Sequence, residues 1–268
     1  MVETSHTWRA ALPMYVAPPD VQTASQEWLR QSLALLGLTA DQHVPEGDLM
    51  RFWRDPDLLL GQTCGYPLMT QLRGQVRIIG RPLYRLPDSR AGFHRSLLIT
   101  RRDDPRASLE AFRGSVLVSN AEDSNTGMNL LRHRLASLQE NGRFFASVMI
   151  SGAHRQSLRE VVAGRADISA VDSVTWNYLT RFSPRETAEL KVIGQTAPSP
   201  TLPLISSMAV GQSLAGELLG ALNESLKESA VLRGVLGIDG VIASDETDYQ
   251  CLLDYQQQAV DAGYPLLR

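Results

Sequence analysis

The stretch SVLVSNAEDSNTGMNLLRHRLASLQENGRFFASVMISGAHRQSLREVVAGRADISAVDS (115–173) decides the fold. It contains three short apolar runs, SVLVSN (115–120), FFASVMISG (144–152) and DISAVDS (167–173), rich in Val, Ile or Phe. Such runs read as buried strands. Helical period separates them. Met128, Leu131, Leu135 and Leu138 share one stripe, and His154 to Ala163 form a second helix that Gly164 stops. Strand, turn, helix, strand is the order of a sheet built with crossover helices, so the stretch predicts an α/β protein.

The same alternation extends outward. Trp8 to Val16 reads as a first strand, stopped by Pro18-Pro19. Asp20 then offers an N-cap to a helix carrying Val21, Ala24, Trp28 and Leu35, which Gly37 ends. A short helix near Glu46 to Arg54, the strand DLLLGQ (57–62), a helix over Tyr66 to Leu72 and the strand QVRIIGRPLY (75–84) follow. SLLITRRDDP (96–105) reads as a strand leaving one domain for another, and the proline-rich TAPSPTLPLISS (196–207) as the return. The tail has a helix bearing Leu214, Leu218, Leu222 and Leu226, and ends in the helical DYQCLLDYQQQAVDAG (248–263). The expectation is two Rossmann-like lobes with a central cleft. Lobe 1 would hold residues 1–98 and 206–268, lobe 2 residues 99–205, joined by two crossing segments.

Composition narrows the function. The chain has 268 residues, 43% apolar and 21% charged, enough to bury a core in each of two domains. Its net charge of −3 argues against nucleic acid as a partner. No run approaches the ~18 apolar residues that span a bilayer. The opening residues show no basic stretch followed by an apolar one, so no secretory leader is expected in the sequence as printed. Two cysteines, Cys64 and Cys251, cannot make a disulfide framework. No metal-ligand spacing joins the five histidines, and no cofactor is expected.

Three turns could carry chemistry. At Ser124-Asn125-Thr126-Gly127 a strand ends and a helix begins, so first-turn N–H groups and the positive end of the helix dipole face whatever lies there. An anion suits that place; hydroxyls of Ser124 and Thr126 and the amide of Asn125 would add donors, and Gly127 would let a ligand approach the backbone. An ordinary N-cap is the plainer reading. His154 opens the next helix, either as a donor to an oxyanion or as a half-exposed surface residue. Asp172 ends the next strand, either contacting a ligand or capping the helix near Val174. In the first half, Tyr15 at the first strand's end and Gln62, Thr63, Cys64 and Tyr66 at a Gly-rich turn could form an opposite wall, or could be packed at an edge. A catalytic reading would make Cys64 a nucleophile and His154 its base, but no third orienting group stands out. No enzyme is expected.

Taken together, DLLLGQTCGYPL, ASLEAFRGSVLVSNAEDSNTGMNLLR, VMISGAHRQSLREVVAGRADISAVDSVTW and TAPSPTLPLISS resemble the phosphonate and phosphite substrate-binding proteins of ABC transporters, of the type II periplasmic binding fold. The resemblance covers most of the chain. It implies a Venus-flytrap protein that closes by a hinge on a small phosphonate-, phosphite- or phosphate-like oxyanion and hands it to an ABC permease. The residues matching Ser124 to Gly127 and His154 would grip the oxyanion. Tyr15 and Gln62 to Tyr66 would close from the first lobe, and Asp172 would stand at the pocket's variable end. The implied location is the periplasm. A cytoplasmic flytrap sensor signalling to a protein partner is the alternative.

Overall fold

The computed structural model of the chain describes residues 7–16, 18–44 and 47–268. It divides into two compact units, Met1–Arg85 with Thr201–Asp248, and Leu86–Pro200 with Tyr249–Arg268.

In the first unit six strands lie in the order Ile238–Ile242, Val76–Tyr84, Leu204–Ser207, Leu58–Gln62, Trp8–Ala11, Ala40–Asp41. The last three are parallel neighbours, whereas Leu204–Ser207 and Ile238–Ile242 run antiparallel to the strands they join. All five residues of Leu58–Gln62 are buried, as an interior strand covered on both faces requires. The helix Pro19–Leu35 packs on Gln212–Glu228. Polar atoms inside that contact are matched: Trp28 Nε1 donates to the Leu222 carbonyl at 3.1 Å, and the Ser32 and Ser225 hydroxyls bond each other at 2.8 Å.

In the second unit the order is Leu190–Gln195, Ser96–Arg101, Ile168–Asp172, Val116–Ser119, Ser147–Ile150. The last three run parallel; Ser96–Arg101 runs antiparallel to both its neighbours, so Leu190–Gln195 has the direction of the three. Side chains alternate between the sheet's faces. Leu98, Leu117, Ile168 and Ala170 meet Phe112, Leu131, Leu135, Phe144, Phe145 and Tyr264 on one face. Leu97, Ile99, Val118 and Val171 meet Leu158, Val161 and Leu179 on the other. Each leucine sealed this way contributes roughly 1.5–3 kcal/mol. A two-stranded ribbon, Phe93–His94 against Ser199–Pro200, stands apart from this sheet.

Several expectations need correction. Both sheets are mixed: Leu204–Ser207 and Ile238–Ile242 run against the rest of the first, and Ser96–Arg101 against the rest of the second. The division falls after Arg85 and Pro200, not near 98 and 205, so Ser96–Arg101 is an interior strand of the second unit and not a crossing. The final helix, Gln250–Asp261, belongs to the second unit rather than the first. Its reason is burial and bonding: Tyr264 is sealed in the second unit's core, Asn129 Nδ2 donates to the Leu252 carbonyl, and Tyr255 donates to the Pro198 carbonyl. The tail also supplies a strand, Ile238–Ile242, where only helices were expected. The first strand ends at Ala11, and Tyr15 stands on the following 3-10 turn, Pro13–Tyr15. Pro18, not Asp20, is the N-cap of the first helix. Glu46 lies outside the described residues, and the short helix it was to begin runs over Leu49–Trp53 with Asp48 as its cap.

Candidate functional site

Three parallel strands of the second unit, Val116–Ser119, Ser147–Ile150 and Ile168–Asp172, end at one edge of their sheet. Each is followed by a helical segment: the π-helical turn Asn125–Asn129 leading into Leu130–Leu135, then His154–Val162, then Ser173–Phe182. Ligands of open α/β sheets collect at such carboxyl edges. This topology brings together Thr126, His154 and Asp172, which sequence spacing alone separates by tens of residues.

At the first turn Ser124 is the N-cap, its Oγ accepting from the Gly127 N–H at 2.9 Å. The Ser124 carbonyl also accepts from the Met128 and Asn129 N–H groups. The plainer reading of Ser124 therefore holds, and it narrows the amides available to an anion to those before Gly127. Gly127 has a different role from the one expected. A Cβ built there would lie 1.8 Å from Asn120 Oδ1, so the missing side chain makes room for Asn120 rather than for a ligand. Further bonds fix the turn: the Ser96 hydroxyl donates to the Thr126 carbonyl at 2.6 Å, and the Ser119 hydroxyl to the Gly127 carbonyl at 3.0 Å. Asn125 Nδ2 donates to Ser199 Oγ at 2.9 Å, on the two-stranded ribbon.

The Thr126 hydroxyl stands 3.0 Å from His154 Nε2. His154 is half-buried as a residue, yet its Nδ1 atom is sealed and has no hydrogen-bond partner. Burial pushes the ring's pKa down to about 4; the negative charge of Asp172 opposes that fall and the charge of His94 adds to it. In this state His154 is neutral at pH 7, with one nitrogen committed to Thr126.

Asp172 fills the capping role. Its Oδ1 accepts from the Val174 N–H at 2.8 Å and the Thr175 N–H at 3.1 Å. Its Oδ2 lies 2.7 Å from His94 Nδ1, a close contact outside hydrogen-bond geometry. Burial pulls the Asp172 pKa upward, but His94, His154 and the helix N–H groups outweigh it, so the carboxyl is held below its ordinary range. His94 is 1% exposed and was not among the expected residues. A lone histidine in AGFHRS carries no spacing signal; only the ribbon's position reveals it.

The other expected residues belong to the first unit. Gln62, Thr63, Cys64, Tyr66 and Tyr15 are all buried there. The turn is fixed mainly through backbone: Trp53 Nε1 donates to the Gln62 carbonyl, the Thr63 N–H to the Pro203 carbonyl, and the Leu68 N–H to the Cys64 carbonyl. Cys64 is the N-cap of Gly65–Gln71 without a side-chain capping bond. Tyr15 meets Tyr84 edge-to-face, centroids 6.1 Å apart, and its 3-10 turn packs on Leu58–Gln62. This set is an aromatic and amide surface with no charged side chain.

A cavity of about 430 Å³ in the first unit lies elsewhere, lined by Leu12, Gln22, Gln26, Gln42 and His43 among others. It includes none of the expected site residues. Neither cysteine forms a disulfide. Among the described residues no cluster of His, Cys, Asp or Glu could hold a metal ion, and no helix is long and apolar enough to cross a membrane.

Comparison with known proteins follows the same line. Residues 56–249 match the model of the periplasmic phosphonate substrate-binding proteins of ABC transporters. The chain belongs to this family. Its members are periplasmic and bind substrates rather than transform them. No curated protein matches the chain. Among solved structures it is similar to a binding protein component of an ABC phosphonate transporter from Pseudomonas aeruginosa, at 15% identity and TM-score 0.77, over 96% of this chain and 87% of that one. It is similar to PhnD1 from Prochlorococcus marinus, solved with methylphosphonate, at 13% identity and TM-score 0.76, over 94% and 98%. It also resembles XAC2383 from Xanthomonas citri, solved with ATP, at 15% identity and TM-score 0.67, over 97% and 98%. The fold is that of the type II periplasmic binding proteins. These findings do not favour the cytoplasmic sensor.

Proposed function

We propose that this protein captures a small phosphonate-type oxyanion (a phosphonate, phosphite or phosphate) in the periplasm, closing its two units on it by a hinge and delivering it to an ABC permease. Thr126 and His154 supply the first donors to the oxyanion, with the N–H groups at the start of the Asn125–Asn129 turn behind them. Ser124, Asn125 and Gly127 hold that turn in shape. Tyr15, Gln62, Thr63, Cys64 and Tyr66 come from the other unit and face the ligand's organic end. The chain catalyses nothing in this reading; His154 and the Thr126 hydroxyl beside it act as donors to the oxyanion.

The observation that carries this reading is the 3.0 Å contact between the Thr126 hydroxyl and His154 Nε2 at the carboxyl edge of the sheet. Two groups able to donate to oxygen stand side by side there, beside the positive end of a helix. Bonds from a protonated imidazole to an anion are shorter and stronger than neutral ones. A thermal-shift screen of methylphosphonate, phosphite, phosphate and sulfate tests the reading, because a ligand that binds the native state raises its apparent stability. A phosphorus oxyanion should raise the melting temperature and sulfate should not. No shift with any phosphorus oxyanion would refute the proposal.

A further inference from the structure

We propose that His94 is a positioning residue for the anion site: it holds Asp172 between a helix cap and His154, so that His154 can take up a proton when an anion arrives. This rests on the oxyanion reading above and extends it to a residue outside the turn.

The argument starts from the ribbon. Phe93–His94 pairs with Ser199–Pro200, His94 opposite Ser199. One strand of the ribbon presents His94 to Asp172 at 2.7 Å, and the other presents the Ser199 hydroxyl to Asn125 at 2.9 Å. The ribbon therefore braces both the carboxylate and the anion-facing turn. His94 and Asp172 are 1% and 3% exposed at their side chains. A carboxylate so buried needs a partner for each oxygen. The two N–H groups of the Ser173–Phe182 helix serve Oδ1, and His94 serves Oδ2.

This division of labour fixes where the negative charge sits. The charged groups that face His154 are Asp172, from the end of its strand, and His94, from the ribbon. Arg155, next on the His154 helix, is committed to Glu186 from the neighbouring short helix. Asp172 favours the charged imidazole and His94 disfavours it, so the pair sets how easily the ring takes a proton. Without an anion, burial keeps the ring neutral, and its sealed Nδ1 has no partner. An oxyanion beside Thr126 adds the negative charge that tips the balance. The proton comes from solvent, Nε2–H then donates toward the oxygens, and the Thr126 hydroxyl proton is released from the ring to do the same.

Two isosteric variants separate positioning from mere packing. His94→Gln keeps an N–H for Asp172 but removes the imidazole; Asp172→Asn keeps the capping oxygen but removes the carboxylate. In ligand-free protein, NMR titration of the His154 ring should move to higher pH in His94→Gln and to lower pH in Asp172→Asn. Identical His154 titrations in wild type and both variants would overturn the proposal, whatever the protein binds. Calorimetry with methylphosphonate in buffers of different ionisation enthalpy forms the second arm. Wild type should take up protons on binding, and His154→Gln should take up fewer. Proton uptake unchanged by His154→Gln would also overturn the proposal. Failure of wild type to bind any phosphorus oxyanion counts instead against the ligand reading, while the titration arm still judges His94.

Discussion

The two turns that follow buried strands, Ser124–Gly127 in the second unit and Gln62–Tyr66 in the first, start from the same sequence logic and end differently. Both combine a strand end, a glycine and the start of a helix. The second-unit turn is held by side chains: Ser124 caps it, Ser96 and Ser119 bond its carbonyls, Asn125 reaches Ser199, and Thr126 meets His154. The first-unit turn is held at its own backbone, by the Trp53 indole N–H and the Pro203 carbonyl. One is a network of polar side chains that includes an imidazole; the other is a buried set of aromatic, amide, hydroxyl and thiol groups with no charged member. The first can respond to charge, whereas the second can only fit.

If that contrast is right, changes in the second unit should spread and changes in the first should stay local. The largest effect is expected at Asp172. Asp172→Ala removes the cap of Ser173–Phe182 and the carboxylate 2.7 Å from the buried His94 ring, and removing one partner of a buried pair costs about 3–5 kcal/mol. Urea unfolding should show it, and a loss below about 1 kcal/mol would mean that the pair contributes little.

Acid should act next, through His154. Its folded pKa of about 4 lies below the ordinary 6.5, so between these values the unfolded chain binds more protons than the native one. Native stability therefore falls as pH drops from 6.5 to 4, by at most about 3 kcal/mol at 1.36 kcal/mol per pH unit. His154→Gln should flatten that slope, measured by thermal melts across the window. Asp172, held below its ordinary range, acts in the same sense only at lower pH, so the two contributions separate.

The smallest effect is expected in the first unit. Cys64→Ser removes no helix-capping bond and keeps a side chain of similar size, so it should keep oxyanion affinity within about 1 kcal/mol. A larger loss, read by calorimetry, would give the first-unit turn a chemical role that its geometry does not suggest.

The sequence carried the fold further than the site. Strand runs and helical stripes placed Val116–Ser119, Ile168–Asp172 and the helix from His154 almost to the residue, because period and caps are local properties. What escaped was set by distant contacts. The Ile238–Ile242 strand is short and glycine-broken, and only pairing with Val76–Tyr84 makes it a strand. Helical period marks the last helix but says nothing about which core receives Tyr264, and that core is the second unit's. Within the site, Thr126, His154 and Asp172 were legible from their places at strand ends. His94 was not, since its meaning depends on a two-residue ribbon, and neither was the filling of the Gly127 gap by Asn120.

The most direct test of the account is a double-mutant cycle on Thr126 and His154, read as methylphosphonate affinity by calorimetry. Thr126→Val and His154→Gln should each cost about 1–3 kcal/mol, the value of a lost bond to a charged group. The double variant should lose clearly less than the sum, because contacting residues couple by about 0.5–3 kcal/mol. Wild-type affinity in either single variant, or losses that simply add, would contradict the claim that these two side chains grip one oxyanion together.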